Sequence, residues 1–328
     1  MVIIQVKNLK KVFKTHKREP GLGNALKSLV KRKYLVKTAL KGISFEINKG
    51  EVVGFIGPNG AGKSTTVKAL SGVLYPTSGD VNVLGYTPWK DRIKYVRNIG
   101  VVFGQKTQLW WDLPAIDSYY LNKQIYRIPS KEFKRRLNYM LKYLDLREVS
   151  KKPVRDCSLG ERMKCEIVAA LLHNPKLVFL DEASIGLDII AKNLVRDFII
   201  RQNQEQGTTF LITTHDMQEI ERLCQRLIII NHGEIIYDGG IEHIKKRYLK
   251  KKLVHVKLET KKNNFSFKGV KVIKEKDYEI VLNLDTQISS VKDLVDYLLK
   301  NYNVADINIS DPPIEEIIEK IYREKKRI

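Results

Sequence analysis

Residues 57–64 read Gly-Pro-Asn-Gly-Ala-Gly-Lys-Ser. Glycines at that spacing, followed by a lysine and a hydroxyl residue, make a loop whose backbone N–H groups close around phosphate oxygens. The apolar run 51–56 predicts a strand ahead of the loop, and the residues after Gly62 predict a helix to about Leu70. The loop therefore ends on a helix N-terminus, which adds partial positive charge. In that setting Lys63 reaches the β- and γ-phosphates of a nucleoside triphosphate and Ser64 ligates magnesium, with Gly57, Pro58, Asn59, Gly60, Ala61, Gly62 and Thr65 completing the cradle. A second run, Leu-Val-Phe-Leu-Asp-Glu at 177–182, reads as a buried strand ending in two acids. Asp181 at its carboxyl end is placed to hold the metal, and Glu182 to polarise an attacking water.

Three further motifs lie in order around these two. Cys157-Ser158-Leu159-Gly160-Glu161-Arg162 opens a helix, so that a serine hydroxyl, a glycine and a helix N-terminus together form an anion site. Ser184-Ile185-Gly186-Leu187-Asp188 follows the two acids, and Thr213-Thr214-His215-Asp216 ends a later strand. Gln105 stands after the strand at 99–103. Taken together the motifs resemble ATP-binding cassette (ABC) proteins over about residues 1–243. The signature of that family normally reads Leu-Ser-Gly-Gly-Gln; Ser158 and Gly160 match it, while Cys157, Leu159 and Glu161 depart from it. Ala183-Ser184 replaces the usual Pro-Thr pair. Gly104 is an extra residue before Gln105, which leaves Gln108 as an alternative.

The resemblance implies a P-loop NTPase cassette and assigns roles residue by residue. Gln105 would reach magnesium and the γ-phosphate, His215 would contact the γ-phosphate, and Asp188 would belong to the loop beside the nucleotide. Ser158 and Gly160 would close over ATP held by a second copy in a head-to-tail dimer. The family's adenine-stacking aromatic falls on Phe13 by its place at the end of the first strand, or on Tyr34 by its spacing ahead of residues 38–44; the spacing is favoured here.

These residues need elements to hold them. Short strand-like runs at 2–6, 42–47 and 51–56 open the chain, with strands again near 81–84 and 99–103. Residues 14–37 form a basic insertion, within which 26–32 has helical spacing. Residues 115–150 are helix-like, with Leu137, Leu141 and Leu144 in one stripe. Strand and helix then alternate from 177 to 230, the pattern of a mostly parallel sheet with helical crossovers, and 231–238 reads as a hairpin. The expected fold is α/β: a mostly parallel core, an antiparallel β subdomain and a helical subdomain at about 108–170. Residues 245–252 read as a linker, and 248–328 as a small C-terminal α+β domain.

Composition narrows the class. Lys and Arg number 59 against 37 Asp and Glu, a formal charge of +22. The excess clusters at 7–41 and 245–252, which fits an anionic membrane surface or nucleic-acid phosphates. No apolar run approaches the roughly 18 residues of a membrane span, and the three cysteines are too scattered for a disulfide framework. A soluble cytosolic chain is expected. The resemblance implies the ATPase subunit of a transporter, working with a separate integral-membrane permease at the cytoplasmic face of the membrane. The insertion, the Gln-Leu-Trp-Trp-Asp-Leu-Pro run at 108–114 and the signature look most like exporter-type cassettes. The aromatic-rich segment 108–135 would offer the docking surface. An ATPase acting on nucleic acid or ribosomes is the alternative. However, a single phosphate loop and the lack of sustained heptads argue against it.

Overall fold

The phosphate loop is positioned by a parallel sheet whose strands are apolar on both faces. The computed structural model describes residues 1–16, 34–104, 106–214, 216–248, 250–260, 265–312, 315, 317, 318, 321 and 322. Among them the chain divides into two units, Met1–Gly239 and Gly240–Ile328.

The sheet of the first unit contains β3 (Val52–Ile56), β5 (Ile99–Phe103), β6 (Leu177–Asp181), β7 (Thr209–Thr213), β8 (Arg226–Asn231) and β9 (Glu234–Gly240), in the order β5-β6-β7-β3-β8-β9. All five residues of β6 and of β7 are buried, which is why these segments read as unbroken Val/Ile/Leu/Phe runs rather than alternating ones. Parallel pairing places Phe103 opposite Asp181, and Asp181 opposite Thr213. The carboxyl ends of three strands therefore finish side by side, the edge where α/β sheets bind ligands. Strands β8 and β9 are joined through His232 and Gly233, both at positive φ (48° and 79°), as the predicted hairpin requires.

A second, antiparallel sheet contains β1 (Val2–His16), β2 (Tyr34–Asn48) and β4 (Ser78–Val83), ordered β2-β1-β4. Both long strands exceed the predicted 2–6 and 42–47. The ends of the basic insertion, 14–16 and 34–37, are paired strand, while the predicted helix at 26–32 lies outside the described residues. Helices α1 (Lys63–Leu70), α2 (Arg92–Val96), α3 (Ala115–Ile125), α4 (Ser130–Tyr143), α5 (Leu159–Leu171), α6 (Ile189–Gln206) and α7 (Met217–Leu223) complete the unit. Helix α4 buries Phe133, Leu137, Met140 and Leu141; of the predicted stripe, Leu137 and Leu141 lie on it and the buried Leu144 is its C-cap.

The second unit holds α8 (Ile241–Tyr248), then an antiparallel sheet of β10 (Lys251–Leu258), β11 (Val270–Lys276), β12 (Glu279–Asp285) and β13 (Val304–Ser310), with α9 (Val291–Asn301). Leu294 and Leu298 of α9 pack with Val254, Val256, Ile280, Leu282 and Leu284. The predicted linker at 245–252 is not a linker. Residues 245–248 are the end of α8, whose Ile241 and Ile244, three residues apart, are buried, and 251–252 are the start of β10.

Candidate functional site

Gly62 caps α1 at φ 118°, and a Cβ there would lie 2.9 Å from the carbonyl oxygen of Ala39, so the loop needs glycine at this position. Lys63 follows with 5% of its surface exposed, and its Nζ donates to the carbonyls of Gly57 at 2.6 Å and Pro58 at 3.3 Å. Burial pulls the Lys63 pKa down, opposed by the negative charges of Glu182 and Asp181. Ser64 Oγ donates to Asp181 Oδ1 at 3.2 Å, and Thr213 Oγ1 donates to the same oxygen at 2.6 Å. A hydroxyl and a carboxylate at this spacing are hard oxygen donors suited to magnesium.

Glu182 adopts φ 58°, a left-handed conformation that costs a non-glycine residue about 1 kcal/mol or more. Its N–H is held by the Thr213 carbonyl at 2.9 Å and the Thr213 hydroxyl at 3.2 Å. Strain of this kind is kept where it aims a functional side chain. Glu182 lines a cleft of about 210 Å³ together with Asn59, Gly60, Gly62, Lys63, Ser64, Thr65, Ala39, Phe13 and Lys37. The phosphate loop and Glu182 therefore face one space, and Asp181 meets it through its hydrogen bond with Ser64.

The two candidate aromatics separate clearly. Phe13, paired with Lys37 across β1 and β2, lines that cleft; Tyr34, paired with His16, does not. The spacing that favoured Tyr34 is displaced because the hairpin is longer than expected. Lys11 Nζ sits 5.1 Å from the Phe13 ring centre.

Gln105 and His215 lie outside the described residues, but their neighbours are well fixed. The N–H of Gly104 donates to the Asp181 carbonyl at 2.8 Å, and a Cβ there would fall 2.4 Å from the Glu182 carbonyl oxygen. The extra residue is thus a glycine that lets two backbones touch. The alternative, Gln108, faces elsewhere: its Nε2 donates to the Glu166 carbonyl at 3.2 Å. Around His215, the Asp216 N–H bonds Thr214 Oγ1 at 3.1 Å, Asp216 caps α7 through the Glu219 N–H, and Lys192 pairs with Asp216 at 2.7 Å. Ser184 Oγ donates to Glu219 at 2.6 Å, and burial raises the Glu219 pKa. Asp188 caps α6, accepting from the Ala191 N–H at 2.8 Å.

Ser158 caps α5 in a capping box: its hydroxyl accepts from the Glu161 N–H at 3.2 Å and its own N–H donates to Glu161 Oε2 at 2.9 Å. Glu161, a departure from the family pattern, is therefore the partner that shapes this helix start. Neither Ser158 nor Gly160 lines the cleft around Lys63. Of the aromatics expected at a docking surface, Trp110, Trp111 and Tyr120 are exposed, with Arg162 over the Trp111 ring at 5.5 Å. Tyr119 is core: it is fully buried and its hydroxyl donates to the Cys165 carbonyl. Sequence reasoning missed Glu166 and Glu219. The signal for the first was a lone carboxylate inside the apolar stretch 165–172.

Comparison with known proteins agrees with this geometry. A family profile described as ABC transporter matches residues 40–185. The linearmycin resistance ATP-binding protein LnrL of Bacillus subtilis (strain 168) is 38% identical over 210 residues, covering 64% of this chain and 67% of that protein. The ABC transporter ATP-binding protein NatA of the same strain is 36% identical over 213 residues, covering 65% and 86%. Among solved structures, the dimeric structure of MJ0796, a bacterial ABC transporter cassette, superposes with a TM-score of 0.60 at 25% identity, covering 73% of this chain and 98% of that one.

Proposed function

The chain belongs to the family of ABC transporter ATP-binding proteins, and from that premise we propose that it is an exporter-type ATPase subunit that works as a dimer on a separate membrane permease. It binds and hydrolyses ATP. The observation that carries the reading is the split between two half-sites. Lys63, Ser64 and Glu182 share one cleft, with Asp181 hydrogen-bonded to Ser64, whereas the capped start of α5 at Ser158 lies outside it. A second copy in head-to-tail arrangement brings its Ser158 and Gly160 over the nucleotide of the first, an arrangement supported by the dimeric cassette it resembles. An exporter direction is supported by the resistance function in the name of LnrL.

In this reading Phe13 stacks on adenine, Lys63 and the loop amides hold the phosphates, and Glu182 orients water for attack. Ser64, Asp181 and Gln105 would hold magnesium, which when bound neutralises charge on the phosphates. His215 contacts the γ-phosphate. Hydrolysis removes the charge that holds two copies together and the dimer opens. Among the described residues no helix is long and apolar enough to cross a membrane. The permease partner is met through the exposed Trp110, Trp111 and Tyr120 at the cytoplasmic face. The basic clusters suit the anionic lipid beside it.

The test is Glu182→Gln in the full chain. ATP binding persists, hydrolysis stops, and a dimer accumulates on size-exclusion chromatography with ATP. Undiminished hydrolysis would sink the assignment of Glu182. Recovery of a multi-spanning protein with the tagged chain from solubilised membranes supports the permease partner; recovery of salt-resistant ribosomes or DNA in its place overturns it.

A further inference from the structure

One buried carboxylate has no place in the chemistry above. Glu166 sits mid-way along α5 among the buried residues Cys165, Ile167, Val168 and Ala169, and is itself 2% exposed. A carboxylate so buried is costly unless donors meet it. Its donors come from one short segment. The Thr107 hydroxyl donates to Glu166 Oε1, and the Gln108 N–H reaches Oε1 at 3.1 Å and Oε2 at 3.3 Å. In return, Gln108 Nε2 donates to the Glu166 carbonyl at 3.2 Å. Three residues before Thr107, the Gly104 N–H is bonded to the Asp181 carbonyl at 2.8 Å. Gly104 is thus fastened to the backbone of the cleft acids. Thr107 and Gln108, three and four residues on, are fastened to the helix whose cap is Ser158. Burial raises the Glu166 pKa, and the hydrogen bonds from Thr107 and Gln108 oppose that shift; rigid elements such as a helix can carry coupling between sites.

We propose that Glu166 is a positioning residue that ties the seating of α5, and so of Ser158, to the arrangement of Asp181 and Glu182. This rests on the reading that Ser158 serves the nucleotide of a second copy. Glu166 touches no nucleotide; it sets how well two copies fit around one.

The experiment uses the full chain carrying Glu182→Gln, with ATP and magnesium, and adds Glu166→Gln, Thr107→Val or Thr107→Ser. Thr107 is exposed, so its variants keep the fold even where Glu166→Gln does not. ATP affinity is read with a fluorescent ATP analogue at concentrations too low for the dimer, and dimerisation by size-exclusion chromatography. Glu166→Gln and Thr107→Val are expected to bind ATP within about twofold of the parent. Their half-dimerisation concentration should rise on the order of tenfold, with Thr107→Ser restoring it. An unchanged dimer midpoint, or ATP affinity that falls in step with dimerisation, overturns the coupling. Failure of Glu182→Gln alone to dimerise overturns the dimer reading and the coupling with it.

Discussion

Replacing Thr213 by valine removes a single hydroxyl and keeps the β-branched shape that the fully buried site packs around. That hydroxyl donates to Asp181 Oδ1 at 2.6 Å and accepts from the Glu182 N–H at 3.2 Å. The Glu182 N–H keeps its bond to the Thr213 carbonyl at 2.9 Å, so the backbone of the second acid stays placed. Asp181, only 7% exposed, keeps just the Ser64 hydroxyl at 3.2 Å. Losing a hydrogen bond to a charged group costs about 1.5–3 kcal/mol. At about 1.4 kcal/mol per tenfold, a loss of that size felt at the carboxylate proposed to hold the metal predicts a fall of roughly 10- to 150-fold in kcat/KM. Affinity for ATP without metal should hold within about twofold, because the phosphate loop is untouched. The assay is steady-state phosphate release across a magnesium titration, with the magnesium midpoint expected to rise. Unchanged kcat/KM and midpoint would refute the argument that this hydroxyl aims Asp181. Equal losses with and without metal would refute it too, by pointing to a collapsed fold.

Phe13→Ala should weaken ATP binding by about 1–3 kcal/mol, the worth of one base–aromatic stack, while Tyr34→Ala stays within about twofold; a titration with ATP distinguishes them, and the opposite order would return the role to Tyr34. Gly104→Ala should lower kcat by roughly a hundredfold with ATP affinity intact, since a methyl 2.4 Å from the Glu182 carbonyl oxygen must displace that acid; full activity in single-turnover hydrolysis would contradict it. His173 stacks on Tyr126 with ring centres 3.9 Å apart, its Nε2 donates to the Ile99 carbonyl, and burial drives its pKa down to about 4. A folded-state pKa below the unfolded value of about 6.5 means that the unfolded chain binds the proton first. Stability from this residue is therefore complete above about pH 6.5 and lost as pH falls towards 4. At pH 5 the loss is about 2 kcal/mol, read from urea midpoints at pH 7.5 and 5 and absent in His173→Gln.

What the sequence disclosed, and what it hid, follows from how far each feature reaches along the chain. The phosphate loop, the Asp181–Glu182 pair and the parallel strands were legible because each is a local pattern: glycines ahead of a helix, or an apolar run closed by acids. Features set by pairing at a distance were not. Whether Phe13 or Tyr34 meets the cleft depends on the register of β1 against β2, which pairs Phe13 with Lys37 and Tyr34 with His16. Nothing within either strand states that register. Glu166 is met by donors 58 and 59 residues away, and Glu219 by a hydroxyl 35 residues away. In one dimension each is merely an acid in a helix. The charge run at 245–252 concealed Ile241 and Ile244, whose spacing carried the helix. Glu161 shows the reverse case. As a mismatch to a family pattern it weakened the signature, yet Ser-x-x-Glu ahead of an apolar run is itself a local signal for a helix start. The structure realises that signal with both hydrogen bonds in place. A glutamate there preserves the helix N-terminus that an anion needs, and the Ser158 hydroxyl, which accepts from Glu161, still has its own proton to donate to a phosphate oxygen. The departure from the family pattern is thus compatible with the chemistry proposed for the position.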